Sequence, residues 1–348
     1  METLWFGILA FMITMYVLLD GFDLGAGVLH LLIARTAEER SVVIGTIAHV
    51  WDGNEVWLLA AGGTLYFAFP SLYASSFSGF YLPLMIVLWL LMLRAAGIEL
   101  RHQLHEPVWR KFWDTVFTVS SALLAIFFGA SLGNVVRGVP LNAEGYFFEP
   151  LWSFSPDPRE TGIIDWFTVT MGIVALCTLT MHGACYLSMK TTGDLRRRAS
   201  AAAGSLWWAV IVSSAGAFLG TLAVRPATWH NYIDNPGADL IPLAALAGLA
   251  GVKAFLRRNR DVPAFLSSCL FIAGMLAATA FSLYPDLLPA TGGGEYSLTV
   301  HNAIAGAYGL SVGLIWWPIG MLLAAGYFFY LFRSFRGRVT GSSDNLYH

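Results

Sequence analysis

Charged side chains are scarce in this chain: Asp, Glu, Lys and Arg together supply 12% of its 348 residues, about half the share found in an ordinary soluble domain. Hydrophobic types supply 57% and the mean hydropathy is +0.63. A water-soluble fold is excluded, and the chain reads as an integral membrane protein. Cysteine is rare too. Cys177, Cys185 and Cys269 fall inside apolar runs without metal-ligand spacing, which argues against a disulfide scaffold or a thiolate metal centre and leaves small buried hydrophobes. The formal net charge is −2, so nucleic acid is not an expected partner. Phosphate-cradling loops, nucleophile triads, low-complexity tracts, exact repeats and interdomain linkers are also missing. The first apolar run has neither a basic leader nor a small-residue cleavage site, so it is expected to stay as a spanning helix.

What remains is a series of apolar runs, each about 20 residues long, the length a helix needs to cross hydrocarbon. They fall near 5–27, 50–69, 77–98, 115–133, 163–188, 201–224, 239–256, 264–284 and 302–332. The expected fold is therefore all-α, a single transmembrane helical domain over 1–348 with about nine spans. Basic residues give an independent check, because cytoplasmic loops are enriched in Lys and Arg. All but three of the 20 lie at or after the ends of odd-numbered spans, and only Arg137, Arg159 and Arg225 fall in the other loops. That alternation predicts a periplasmic N-terminus and a cytoplasmic C-terminus. The longest polar connection, 134–162, is rich in aromatics and is expected to lie at the outer interface.

Against this apolar background the stretch LLDGFDLGAG carries Asp20 and Asp23 into the first span. A carboxylate in hydrocarbon costs several kcal/mol unless it is paired, solvated or neutralised. Topology supplies partners: Asp52, Asn54 and Glu55 in HVWDGNEVWL open the second span, and Arg94 and Glu99 in LRAAGIELR close the third. All seven are predicted to meet at one inner-side cluster, with Arg94 holding carboxylates ionised. Graded carboxylates bridged by an amide and water can pass protons inward. The competing reading is structural, with these charges capping helix ends or pairing with Arg35 and Arg40. His30, His49, His182 and His301 lie near or within spans; haem ligation is conceivable for such imidazoles, but hydrogen bonding or an interfacial position is the simpler expectation. A secondary transporter would also carry intramembrane charge, yet the repeated pair of Gly- or Pro-interrupted spans expected of one is missing.

Several motifs occur in order over nearly the whole chain: DGFDLGAG, WDGNEVWLLAAGGTLYFAFPSLYASSFSGFY, LRAAGIELR, GNVVRGVP, KTTGDLRRRA and SLTVHNA. Together they resemble subunit II of the cytochrome bd quinol oxidases, including the cyanide-insensitive branch. The resemblance implies a bacterial plasma-membrane complex that oxidises ubiquinol or menaquinol and reduces dioxygen to water with protons from the cytoplasm. It implies haem b and haem d on a homologous subunit I, and a haem-free subunit II that is not catalytic alone. Further implied elements are a structural quinone in some members and a small single-span accessory chain as a second partner. By motif, Asp23, Asp52, Arg94 and Glu99 take the positions of the family's proton-pathway residues, with Asp20, Asn54 and Glu55 as neighbours. Three departures accompany the match: His301 stands where an aromatic is expected, Glu99 where Asp also fits, and the outer connection around RPATWHNYIDNPGA is short.

Overall fold

The computed structural model describes residues 1–155, 160–291 and 294–339; Arg159, assigned above to an outer loop, lies outside the described residues. The chain opens with α1 (Glu2–Ile33), a helix about 48 Å long at 1.5 Å per residue. Next come α2 (Ala37–Ile47), α3 (Trp51–Ala68), α4 (Pro70–Gly79), α5 (Tyr81–Leu100) and α6 (Pro107–Arg137). After a long loop follow α7 (Trp166–Lys190) and α8 (Gly193–Val224). The short α9 (His230–Asp234) sits between two single-turn helices, Pro226–Trp229 and Pro236–Asp239. The chain then runs through α10 (Leu240–Arg257), α11 (Asp261–Leu283), a small antiparallel pair β1 (Asp286–Leu288) and β2 (Leu298–Thr299), and α12 (Ala307–Ser334).

Among the described residues eight helices are long and apolar enough to cross a membrane: α1, α5, α6, α7, α8, α10 with its preceding turn, α11 and α12. The expected span 50–69 is α3, whose 18 residues reach about 27 Å. Asp52, Asn54 and Glu55 in its first turns make it too polar to qualify on composition. It ends where Pro70 takes the first position of α4, because a proline disfavours helical geometry in the residue before it. Several boundaries move: the first span runs on to Ile33 rather than 27, the helix expected over 115–133 begins at Pro107, that expected over 201–224 begins at Gly193, and the last span begins at Ala307 rather than 302. Helix α2 was not expected. Its start is nevertheless written in the sequence as Thr36-x-x-Glu39: Glu39 N donates to Thr36 Oγ1 at 3.2 Å, and the Glu39 carboxylate accepts from Thr36 N at 3.4 Å.

Helix α1 is the central pole. It packs against α3, α6, α7 and α11, and every residue from Asp20 to His30 is buried. Small residues permit this. A Cβ on Gly25 would lie 2.0 Å from the carbonyl oxygen of Leu179, and one on Gly183 would lie 2.4 Å from the backbone of Gly25, so α1 and α7 cross at main-chain contact. Gly27 meets α6 in the same way, its absent Cβ being 2.1 Å from Ser121 Oγ. The opposite end of the bundle is tied by Arg137, which donates to Glu149 Oε1 at 3.0 Å and to the Gly162 carbonyl at 3.0 Å, and pairs with Asp165. Burial holds the Glu149 carboxyl above the usual glutamate range, against the opposing pull of Arg137 and of the Thr161 hydroxyl.

The main-chain crossing makes a direct prediction. Gly183→Ala should destabilise the purified complex by about 1–3 kcal/mol, the usual cost of overpacking, read as a lowered unfolding temperature in detergent. Gly62→Ala, where a Cβ meets nothing within 4 Å, should leave that temperature unchanged; equal effects at the two sites would contradict the crossing.

Candidate functional site

Three helices bring the buried charges together. Asp20, on α1, receives both ends of the Arg94 guanidinium from α5: Nη1 donates to Oδ2 at 2.9 Å and Nη2 to Oδ1 at 2.6 Å. Both side chains are fully buried. Arg94 Nη2 also donates to Glu55 Oε2 of α3 at 3.3 Å, and the Glu55 side chain is 24% exposed. One cation thus serves two carboxylates, and the planar guanidinium satisfies Asp20 in the bidentate geometry that makes such pairs strong.

Asp23 follows Asp20 by three residues on the same helix face. No cation pairs with it among the described residues. Asn54 Nδ2 donates to its Oδ2 at 2.7 Å and to the Leu19 carbonyl at 3.3 Å, and both Asp23 and Asn54 are buried. Several polar atoms here have no protein partner among the described residues: Asp23 Oδ1, Asn54 Oδ1, Arg94 Nε and Tyr16 Oη. Buried donors and acceptors are rarely left bare, and small molecules of solvent commonly satisfy them. Tyr16 was not anticipated. Its position one turn before Asp20, at i and i+4, was a readable signal.

The structure therefore assembles Asp20, Asp23, Asn54, Glu55 and Arg94. Asp52 and Glu99 do not join them: both are exposed, and neither makes a hydrogen bond or ion pair among the described residues. Their helix phase turns them outward from this chain although they occupy the same end of the bundle.

A second charged cluster lies ten residues further along α1. His30 Nε2 is 2.7 Å from Asp114 Oδ1, which also accepts from Arg101 Nε at 2.5 Å, while Arg40 approaches the other carboxylate oxygen at 3.5 Å. Arg101 Nη1 donates to Ser41 Oγ of α2 at 3.0 Å. The expected span 115–133 leaves Asp114 one residue outside it, whereas α6 includes it. The other candidate histidines are also engaged: His182 through Ser268 Oγ at 2.7 Å and the Leu18 carbonyl at 3.0 Å, His301 through Glu2 at 2.8 Å, and His49 by stacking on Phe335 at 4.1 Å. Of the buried imidazoles, His182 is engaged through both ring nitrogens, whereas His30 is engaged through Nε2 and its Nδ1 has no protein partner among the described residues.

A family model described as cytochrome bd terminal oxidase subunit II matches residues 1–335. The chain belongs to that family. Membership makes it a subunit of a respiratory oxidoreductase complex, implies a subunit I as partner, and accords with a multi-pass protein of the bacterial inner membrane. Among its relatives, the "Probable cytochrome oxidase subunit 2" of Haemophilus influenzae is 31% identical, with 97% of this chain and 94% of that one covered. The "Cytochrome bd-I ubiquinol oxidase subunit 2" of Escherichia coli is 29% identical at the same coverage. The "Cytochrome bd ubiquinol oxidase subunit 2" of Bacillus subtilis is 30% identical over 90% of this chain and 89% of its own. In fold, the chain superposes on a chain of the bd oxidase from Geobacillus thermodenitrificans with a TM-score of 0.75 at 18% identity, covering 96% of this chain and 98% of that one.

In this oxidase subunit the buried ion pair should behave as a unit. Arg94→Leu alone leaves the Asp20 carboxylate uncompensated and is expected to cost about 3–5 kcal/mol, whereas Arg94→Leu combined with Asp20→Leu should recover most of that loss. Thermal unfolding of the four species of this double-mutant cycle measures the coupling; additive losses would contradict it.

Proposed function

We propose that this chain carries cytoplasmic protons through its inner half to the oxygen-reducing centre of a quinol:dioxygen oxidoreductase whose haems reside on subunit I. Reducing dioxygen to water consumes one proton for each electron, so electrons from a quinol need a matching proton supply. The b- and d-type haems, when bound by the partner, supply the electron transfer and the oxygen chemistry. The basic-residue asymmetry supports a cytoplasmic location for the loops nearest the carboxylates.

In this reading Asp52 and Glu99, exposed at the inner end, collect protons. Glu55 is the next group, partly open to the outside and held by Arg94. Asp23 is the terminal carboxylate of this chain, cycling between carboxyl and carboxylate with Asn54 donating to one oxygen. The observation that carries the proposal is the setting of Asp23: fully buried and, among the described residues, free of any cation, with one oxygen on Asn54 and the other without a protein partner. A purely structural carboxylate is normally paired on both oxygens. Asp20 and Arg94 act differently, since their bidentate bonds make a buried ion pair whose guanidinium also holds Glu55 in place. A structural scaffold is the second reading, favoured by the completeness of that same pair.

The readings separate on one pair of substitutions. Asp23→Asn with Asp52→Asn, in the complex purified with subunit I, should lower quinol-driven oxygen consumption by about 10²-fold, the scale of a lost proton-transfer group, while leaving the visible haem spectrum intact. Undiminished oxygen consumption across pH would overturn the pathway. Loss of haem or of assembly would assign the carboxylates to scaffolding.

A further inference from the structure

On the flank formed by α8 and α10, at the end of the bundle where α1 and α7 also finish, lies a cleft of about 350 Å³. Its lining includes Arg196, Arg197, Gly204, Lys253, Arg257 and Asn259, and contains no acidic side chain. Two of these lining cations already have carboxylate partners that lie outside the cleft. Arg196 Nε donates to Asp261 at 2.8 Å, and Arg197 Nη2 donates to Asp194 at 2.6 Å. Among the described residues two cations of the lining then remain without a counter-charge. Arg257 makes no hydrogen bond or ion pair among the described residues. Among the described residues Lys253 Nζ donates only to the Gly204 carbonyl, at 3.1 Å, and it lies over the rings of Trp207 and Trp208 at 5.2 and 5.7 Å. The indole faces fix this ammonium at the cleft wall, and Gly204 leaves room in front of it, since a Cβ there would meet nothing within 4 Å.

What adjoins the cleft selects the kind of anion. Continuing along the face of α8 from Gly204 at four-residue steps come Trp208 and Val212, which are 58% and 72% exposed. On α10, seven residues back from Lys253, comes Leu246, 61% exposed. A cationic cleft at the level of the membrane surface therefore continues directly into an apolar strip running toward the bilayer centre. A free inorganic anion would use only the first part. An amphiphile with a phosphate head and hydrocarbon tails uses both.

We propose that this cleft binds an anionic diacyl phospholipid, its phosphate held by Lys253 and Arg257 with the spare donors of Arg196 and Arg197, and its acyl chains lying along Trp208, Val212 and Leu246. Guanidinium and ammonium donors suit phosphate oxygens, and basic pockets between membrane helices are a recurrent setting for acidic headgroups. A zwitterionic lipid is disfavoured because its quaternary ammonium would have to approach the same uncompensated cations. In the orientation proposed above, the lipid belongs to the cytoplasmic leaflet. The site is separate from the carboxylate cluster and involves none of its residues.

The test uses the intact complex in detergent, titrated with phosphatidylglycerol or phosphatidylcholine, with retained lipid counted by native mass spectrometry. The wild-type complex should retain phosphatidylglycerol about tenfold better than phosphatidylcholine, and inorganic phosphate at the same concentration should not displace it. Two variants of different kind should each abolish the preference: Lys253→Gln with Arg257→Gln, which removes charge, and Gly204→Leu, which fills the cleft and leaves the charges in place. Oxygen consumption by both in a fixed detergent should stay at the wild-type level. Absence of a preference in the wild-type complex, persistence of the preference in both variants, or displacement by inorganic phosphate would overturn the proposal.

Discussion

The bidentate pair between Asp20 and Arg94 is the interaction on which the inner half of this subunit depends. It places a carboxylate and a guanidinium, both fully buried, between the first helix and the fifth. Neither ion would survive there alone, because stranding one charge in low dielectric costs several kcal/mol. Once the pair is made, its remaining donor capacity reaches Glu55, and α3 is drawn to the same point. Asp23 sits one turn further on, next to the ion pair but outside it, and among the described residues its partner is an amide rather than a cation. In the proposed pathway, that difference between two acids three residues apart assigns Asp20 to the ion pair and Asp23 to proton transfer.

The backbone supports this arrangement by being unusually close. Gly25 against Leu179 and Gly183, and Gly27 against Ser121, let α1 sink among its neighbours until eleven consecutive residues, 20–30, are out of contact with the surroundings. A wider helix separation would open the carboxylates to lipid. The same burial brings His30 onto Asp114 and Arg101, so the pole is clamped by charge at two levels and by glycine contact between them. The flank formed by α8 and α10 is built differently, with Trp208 exposed and, among the described residues, Lys253 and Arg257 without an acidic partner.

Much of this was legible in the sequence because hydrocarbon imposes simple rules. Helices must be long and apolar, so the runs are conspicuous, and eight of them reappear as helices fit to cross. Charges inside such runs need partners, so Asp20, Asp23 and Arg94 stood out together. The choice of Asp20 over Asp23 as the partner of Arg94 was not legible: both lie on one helix face, and only the crossing of α1 with its neighbours sets which one the guanidinium reaches. Helix phase likewise hid the outward direction of Asp52 and Glu99, since position along a span is read from sequence far more readily than rotation about it. Asp114 escaped because a one-residue boundary put it in a loop, and α2 because its eleven residues are too short and too polar to register beside spans, although Thr36 and Glu39 marked its first turn.

The central claim is that Asp23 changes protonation as the assembled oxidase turns over. Infrared difference spectroscopy of the complex between reduced and oxygen-reacted states tests it directly, through the carbonyl stretch of a protonated carboxyl group and its shift in deuterated water. The account predicts a band that appears or disappears between those states and is lost in Asp23→Asn while the haem signals stay unchanged. A difference spectrum identical in the wild-type and Asp23→Asn complexes would contradict it.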